Sequence, residues 1–282
     1  MHAKQILLSI LVLLCFCNLV TAQQIQKETE FTIGQTLQFK SAVLDETRIL
    51  NVYLPATYQT NANRQYPVIY LLDGSAEEDF IHVVGIVQFG SFAWIKMLPE
   101  SIVVGIANVD RKRDFTAPPK NELDKKDFPT SGGSARFIEC IKKEIQPLID
   151  KKYRTADGKT LIGQSLGGLL ATEILHTDPG LFDNYVIVSP SLWWDDQTLL
   201  KSNQKPIPKG TSIFVGVGKE GETMEKLAED LFHKLTKTNG SNTRVWFEHF
   251  PMQSHGDVLH LATYKAFEKL FAGYRNSKPS EK

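Results

Sequence analysis

The sequence predicts an α/β fold in which a mostly parallel, doubly wound sheet carries helices on both faces. Two observations support this prediction. Short apolar runs rich in β-branched residues, at residues 68–72 and 101–108, are typical of strands buried on both faces of a parallel sheet. From residue 68 onward such runs alternate with helix-forming stretches. Strands that alternate with helices along the chain form parallel sheets, because the helices supply the crossover connections.

The first two elements are predicted to be an antiparallel pair of strands at the N-terminal side. Residues 35–41 and 48–53 alternate or run apolar, as paired strands do. Further strands are predicted at residues 68–72, 101–108, 160–162, 184–189, 212–216 and 243–250. Helices are predicted at residues 134–150, 166–176, 222–237 and 257–274. The long segments with neither pattern are predicted to be loops, at residues 77–94, 110–133 and 192–210.

Residues 1–22 have the composition of a signal peptide. Lys4 supplies a positive charge, and residues 6–20 form an apolar run that is too short to span a bilayer comfortably. Residues 20–22 then offer a small-residue cleavage site. We therefore expect the protein to be periplasmic or secreted after residues 1–22 are removed. An uncleaved membrane anchor is the alternative.

The rest of the chain is expected to form one domain, residues 23–275, and a polar tail, residues 276–282. Basic and acidic residues number 32 each, so the net charge indicates neither nucleic acid nor a membrane surface as a partner. Cys15 and Cys17 lie in the signal peptide, which leaves Cys140 as a single thiol in a predicted helix. An internal disulfide is therefore excluded, and the fold must depend on its hydrophobic core.

The most informative motif is G-x-S-x-G at residues 163–167. A short apolar strand precedes it, and the helix-forming residues 168–175 follow. A serine on such a sharp strand-to-helix turn has strained backbone and an exposed hydroxyl, and the glycines allow the close chain approach that the turn needs. This arrangement is the nucleophile elbow of the α/β-hydrolase fold. We therefore predict that Ser165 is a nucleophile.

A serine nucleophile requires a base, and His255 is the predicted one. It lies in the loop between the last predicted strand and the last predicted helix, at the carboxyl edge of the sheet. It also follows the serine in the chain order serine, acid, histidine that this fold uses. The other histidines lie in the signal peptide, before or directly after the elbow helix, or within regular elements: His2, His82, His176, His233, His249 and His260.

The third member of a triad would lie after the strand at residues 212–216. The loop there offers two carboxylates, and Glu220 is predicted because it is closer to the strand. Glu222 could instead belong to the first turn of the next helix, where the helix dipole favours a negative charge. A serine–histidine dyad without an acid is a third possibility.

Ester hydrolysis also requires donors for a tetrahedral oxyanion. The elbow supplies the backbone N–H of Leu166, and the loop after residues 68–72 is expected to supply the second donor at Ser75. The sequence contains no His/Cys/Asp cluster with the spacing of metal ligands. We therefore expect neither a metal nor an organic cofactor.

Several stretches of the chain resemble segments of one protein family and follow one another in the same order as in that family. They lie at residues 66–74, 110–116, 131–137, 163–167, 189–194 and 254–255. In this combination the sequence resembles the putative esterase family of α/β-hydrolases. That family includes siderophore esterases and, more distantly, esterase D, feruloyl esterases and mycolyltransferases. The likeness covers nearly the whole chain after residue 22.

The resemblance implies that Ser165 is the nucleophile and His255 the base, and that Ser75 and Leu166 supply the oxyanion donors. It does not decide the acid, because the siderophore-esterase branch often lacks a well-placed one. The choice of Glu220 therefore remains open at this point.

The resemblance also suggests residues that bind substrate. In the siderophore-esterase branch, arginines and aromatic residues near the mouth of the site are thought to hold a catecholate ligand. The matching positions are Arg111, Arg136 and Trp193. The alternatives are that Arg111 belongs to a salt-bridged loop and that Trp193 covers the core.

These observations predict an exported serine hydrolase that cleaves a carboxylic ester through an acyl-enzyme. The expected partner is a small-molecule or polymer-linked ester, and a siderophore-type ester is the first expectation for the substrate. The alternatives are an acetyl or feruloyl polysaccharide esterase, an acyltransferase and, last, a ligand-binding protein without catalysis.

Overall fold

The computed structural model describes residues 25–239 and 243–275. The predicted signal peptide and polar tail lie outside the described residues. The chain divides into two units, Met1–Thr32 and Ile33–Lys282. Of the first unit, residues 25–32 are described, and they form neither helix nor strand. The elements below all belong to the second unit.

An eight-stranded sheet forms the centre of the second unit. Its strands are β1 (Gln35–Ser41), β2 (Glu46–Tyr53), β3 (Tyr66–Leu71), β4 (Ile102–Ile106), β5 (Thr155–Gln164), β6 (Asn184–Val188), β7 (Ser212–Gly218) and β8 (Arg244–Phe250). The strand order is β1-β2-β4-β3-β5-β6-β7-β8. Strand β2 runs antiparallel to β1 and β4, whereas β3 to β8 are mutually parallel. This arrangement confirms the predicted fold class, including the antiparallel N-terminal pair.

Helices connect the strands. They are α1 (Phe80–Gly90), α2 (Arg111–Phe115), α3 (Glu122–Asp127), α4 (Ser134–Cys140), α5 (Gln146–Lys152), α6 (Leu166–Thr177), α7 (Trp194–Lys201), α8 (Glu222–Asn239), α9 (Val258–Leu270) and α10 (Ala272–Arg275). The predicted helix at residues 134–150 is a composite, since a π-helical turn at Ile141–Ile145 joins α4 to α5. Within the described ranges, no helix is both long and apolar enough to cross a bilayer.

The three predicted loops are not simple loops, and this part of the prediction is wrong. Residues 77–94 contain α1, residues 110–133 contain α2 and α3, and residues 192–210 contain α7. Strands β3 and β4 are parallel neighbours, so their connection must cross over the sheet, as α1 does. Its valines and Gly85 are weak helix formers, which explains why the local pattern did not indicate a helix.

The core lies on both faces of the sheet, as double winding requires. On one face Ile69, Val103 and Val186 pack with apolar residues of α1 and α9. On the other face, neighbouring strand residues such as Tyr70 and Val104 pack with α4, α6 and α8. Cys140, a buried free thiol, belongs to this second layer. Because β3 and β5 to β8 are parallel, their carboxyl ends lie at one edge of the sheet, where the loops that follow them can form a site.

Candidate active site

Ser165 occupies a strained turn between β5 and α6. Its backbone angles are φ 59° and ψ −120°, outside the regions that side-chain-bearing residues favour. Close approach of Gly163 to Gly167 makes the turn possible, because a Cβ at Gly163 would lie 2.4 Å from the Gly167 carbonyl oxygen. This is the elbow geometry that the G-x-S-x-G motif predicts. A strained residue of this kind is held by its surroundings.

The loop after β6 holds the elbow. The Ser165 N–H donates to the Val188 carbonyl at 3.0 Å, and the Ser191 N–H donates to the Ser165 carbonyl at 3.0 Å. Pro190 packs so closely that a Cβ at Gly168 would lie 3.0 Å from its Cα. The hydroxyl oxygens of Ser191 and Ser165 are 3.3 Å apart.

His255 and Glu220 form a hydrogen-bonded pair on adjacent loops. His255 Nδ1 lies 2.5 Å from Glu220 Oε2. The Glu220 side chain is 3% exposed and that of His255 is 47% exposed, so the imidazole has a buried partner on one side and solvent access on the other. A carboxylate at Nδ1 selects the tautomer with Nδ1–H and leaves Nε2 free to accept a proton. Gln164 Nε2 also donates to the His255 carbonyl at 2.5 Å, which connects this loop to the elbow.

Three hydrogen bonds keep the Glu220 carboxylate charged. Burial raises the pKa of Glu220, but hydrogen bonds from His255, Ser189 Oγ and the Gly218 N–H outweigh burial and hold the pKa below its ordinary value. The Ser189 hydroxyl donates at 2.5 Å and the Gly218 N–H at 3.0 Å, both to Oε1. Oε2 is therefore left for His255, and the pair has an ionised acceptor at neutral pH.

The structure brings Glu220, and not Glu222, against His255. Glu222 is the first residue of α8 and is exposed, as the alternative interpretation of this residue expected. Glu225 Oε1, one turn farther along, accepts the N–H groups of Glu220 and Gly221 at 2.9 and 3.0 Å. The start of α8 thereby holds the loop that carries Glu220.

The two predicted oxyanion donors have different surroundings. Leu166 begins α6, and the first N–H groups of a helix have no carbonyl one turn earlier to bind. The Ser75 N–H donates to Glu78 Oε2 at 3.3 Å, and the Ser75 hydroxyl donates to the same oxygen at 2.7 Å. Ser75 would therefore have to exchange Glu78 for a substrate oxygen. The preceding Gly74 lies directly on β4, where a Cβ would be 2.3 Å from Gly105 Cα.

Ser165 and His255 line one open cleft. Its other lining residues are Asp73, Glu78, Asp79, Arg111, Gln164 and Gly256. Arg111 binds Asp73 with two hydrogen bonds, Nε to Oδ1 at 2.6 Å and Nη2 to Oδ2 at 3.0 Å. Its guanidinium is thus placed in the cleft and is already paired. Burial, followed by the negative charges of Asp73 and Glu78, raises the pKa of Asp79 to about 6.

Arg136 and Trp193 lie outside the set of residues that line this cleft. Arg136 donates to the Val43 carbonyl in the β1–β2 turn. Trp193 is half-buried and packs against Phe128 and Trp194, with ring centroids 6.0 and 6.1 Å away. Trp193 is nevertheless only two residues from Ser191, whose hydroxyl contacts that of Ser165.

Sequence reasoning missed four residues around the site. Ser189 and Ser191 lie in a stretch that the family likeness contained, but its pattern assigned them no role. Glu78 and Asp79 lie in the segment that was predicted to be a loop. The signal that could have found them is their position after β3 and β6, since side chains at the carboxyl edge of a parallel sheet surround its binding crevice.

The chain is similar in sequence and fold to known esterases and serine hydrolases. The family model for putative esterases matches residues 41–267. The ferri-bacillibactin esterase BesA of Bacillus subtilis (strain 168) is 26% identical over 263 residues, which cover 84% of this chain and 89% of BesA. A solved IroE-like serine hydrolase from Shewanella oneidensis has a TM-score of 0.75 and 30% identity, covering 85% of this chain and 80% of that one. The BES protein from Bacillus cereus has a TM-score of 0.74 and 25% identity, covering 88% and 99%.

Proposed function

Because this chain belongs to the putative esterase family and is therefore an ester hydrolase, we propose that it works by a serine mechanism. In this proposal Ser165 is the nucleophile, His255 the base and Glu220 the acid that orients the base. One observation carries it: His255 is hydrogen-bonded to a buried carboxylate and shares a cleft with a serine on a strained elbow. Such a constellation is defined by geometry and roles, not by sequence spacing.

The proposed reaction has two halves. Ser165 Oγ attacks the acyl carbon of the ester while His255 Nε2 takes the hydroxyl proton. The tetrahedral oxyanion is held by the N–H of Leu166 and that of Ser75, and it collapses when His255 gives the proton to the leaving alkoxide. Water then attacks the acyl-enzyme, with His255 again taking and returning a proton, and the carboxylic acid is released. The ionised Glu220 stabilises the imidazolium formed in each half.

The proposed substrate is a siderophore-type ester. The relative in Bacillus subtilis is named as an esterase of ferri-bacillibactin, and one in Escherichia coli, 26% identical over 89% of this chain, as an apo-salmochelin esterase. In this proposal Arg111, Arg136 and Trp193 contact the ligand. Arg111 is the best placed of the three because it lines the cleft.

We also propose that the protein acts outside the cytoplasm. The composition of residues 1–22 supports this, since it combines a positive charge, an apolar run and a small-residue site. N-terminal sequencing of the mature protein after expression in a bacterial host tests the proposal. A mature chain that starts at Gln23 is expected, and an intact N-terminus would contradict it.

The nucleophile can be tested by covalent labelling. A fluorophosphonate probe is expected to label the wild-type protein and not the Ser165→Ala variant, which should also lose at least about a thousandfold in kcat. Ser91→Ala, at the end of α1, is a matched control that should retain both labelling and activity. Equal labelling of Ser165→Ala and wild type would overturn the serine mechanism.

The substrate class needs a separate measurement. We expect kcat/KM to be higher for a triscatecholate lactone than for short acyl or feruloyl esters. A preference for feruloyl esters would transfer the assignment to polysaccharide esters and leave the serine mechanism intact. Formation of a new ester in the presence of an added alcohol would indicate acyl transfer.

A further inference from the structure

We propose that residues 189–191, which follow β6, are a positioning loop for the whole catalytic constellation. In this inference the Ser189 hydroxyl orients Glu220, and through it His255, while Ser191 holds the nucleophile. Both serines are positioning residues, since each acts through another side chain. The inference rests on the proposed serine mechanism.

Ser189 is built into the support of the acid. It is fully buried, and its backbone has a positive φ of 43° although it is not glycine. Its N–H donates to the Gly216 carbonyl at 2.7 Å, which ties the loop to β7 just before the segment that carries Glu220. A strained, buried residue at such a place is over-determined by its surroundings. Its hydroxyl is thereby aimed at the carboxylate.

The Ser189 hydroxyl selects which oxygen of Glu220 faces the base. It donates to Oε1 at 2.5 Å, the same oxygen that accepts the Gly218 N–H at 3.0 Å. With Oε1 occupied twice, Oε2 is the oxygen that remains for His255 Nδ1. Because the side chain is 3% exposed, water cannot readily replace a lost donor.

Ser191 supports the other end of the constellation. It is 3% exposed, its N–H binds the Ser165 carbonyl, and its hydroxyl oxygen is 3.3 Å from Ser165 Oγ. The hydroxyl contact restricts the rotation of the Ser165 side chain, and the backbone hydrogen bond holds the turn that carries Ser165. One short loop therefore contacts the nucleophile at one serine and the acid at the other.

Loss of the Ser189 hydroxyl has a specific electrostatic consequence. Removing a donor from an ionised carboxylate makes that carboxylate more basic, and a more basic Glu220 makes the His255–Glu220 pair bind its inactivating proton more readily. The acid limb of the pH profile of kcat/KM should therefore move to higher pH. A purely structural role of Ser189 would lower stability without moving this limb.

The test uses two variants that share the hydroxyl loss and differ in backbone strain. Ser189→Ala keeps the strained φ, whereas glycine adopts a positive φ without cost, so Ser189→Gly should be the more stable of the two on backbone grounds. Both variants are expected to lower kcat/KM for a short acyl ester by about tenfold, since the lost bond is to a charged group. In both variants, the acid limb of the pH profile of kcat/KM is expected to move to higher pH. Ser191→Ala is expected to lower kcat while the acid limb stays in place.

A double variant isolates the pathway through Glu220. In the Glu220→Gln background, Ser189→Ala should lower kcat/KM by less than about a further twofold, because the charged carboxylate that the Ser189 hydroxyl binds is absent. The inference is overturned if the acid limb stays at the same pH in both Ser189 variants. It is also overturned if the effects of Ser189→Ala and Glu220→Gln on the logarithm of kcat/KM are fully additive. Fluorophosphonate labelling of Ser165 in the same samples reports separately on the proposed function, so the two ideas can fail independently.

Discussion

Two carboxylates near the cleft of Ser165 show how little burial by itself decides the charge of a group. Burial raises the pKa of both Glu220 and Asp79. For Glu220, hydrogen bonds from His255, Ser189 and Gly218 outweigh burial, and the pKa falls below its ordinary value. For Asp79, neighbouring negative charges add to burial, and the pKa rises to about 6. The donors and charges that surround each carboxylate decide its state.

The difference separates the carboxylate that binds His255 from the carboxylate in the wall of the cleft. Glu220 lies against His255 and stays ionised, as the proposed role of His255 as a base requires. Asp79 precedes α1 and, within the described part of the chain, its side chain accepts no capping hydrogen bond from that helix. Around pH 6 the cleft wall therefore changes charge at Asp79, while Glu220 stays ionised. A substrate that carries charge should sense this change through binding.

The largest expected effect comes from breaking the stabilised carboxylate. Glu220→Gln should lower kcat/KM on a p-nitrophenyl ester by at least about tenfold, because a neutral amide neither selects the His255 tautomer nor stabilises the imidazolium. Glu222→Gln is the matched control, two residues away on the exposed start of α8. It should stay within about twofold of wild type. A Glu220→Gln effect below about twofold would instead indicate a dyad.

The destabilised carboxylate predicts a gain in stability when its charge is removed. The folded-state pKa of Asp79 is raised from 3.8 to about 6, so ionisation at neutral pH opposes folding. Asp79→Asn should therefore raise Tm by about 2–4 °C near pH 8, for a gain on the order of 1 kcal/mol that allows for partial exposure. The gain should shrink as the pH falls from about 6 towards 4, where the wild-type carboxyl is protonated as well.

Thermal melts of the wild type and Asp79→Asn at several pH values measure this difference. Asp157→Asn, at an exposed position near the start of β5, is the control and should change Tm little at any pH. A Tm gain for Asp79→Asn that is independent of pH would show that shape, and not charge, distinguishes the two side chains.

The smallest expected effect concerns Arg111, which lowers the pKa of Asp79 together with, and less than, His82. Arg111 lowers the pKa of Asp79, but less than burial and Asp73 raise it. In an Arg111→Gln background the charge on Asp79 is opposed more strongly, and Asp73 loses its paired cation. The Tm gain from Asp79→Asn near pH 8 should then grow by about 1 °C. An unchanged or smaller gain would show that Arg111 acts on Asp73 alone.

Much of the fold was predictable because it is encoded in local pattern. The apolar runs of β3 and β4 mark buried strands, and the predicted bounds of β1 match those of the structure. The helices that were missed could not be recognised from the local sequence pattern. Helix α1 is rich in valine and apolar on several sides, and its necessity comes from the parallel pairing of β3 and β4, a long-range property. In helix α7, residues 195–197 have left-handed backbone angles with positive φ, which the pattern of a regular helix does not predict.

By itself, the sequence determined the elbow and the order in which the serine and the loop histidine follow each other. Both are properties of short segments with strong backbone requirements, such as the close approach of Gly163 to Gly167. Only the tertiary structure decided which carboxylate lies against His255, since Glu220 and Glu222 are nearly equivalent along the chain. It also decided the pairing of Arg111 with Asp73 and the opposite pKa shifts of Glu220 and Asp79. These depend on contacts between residues far apart in the chain, where distance and desolvation set the energies.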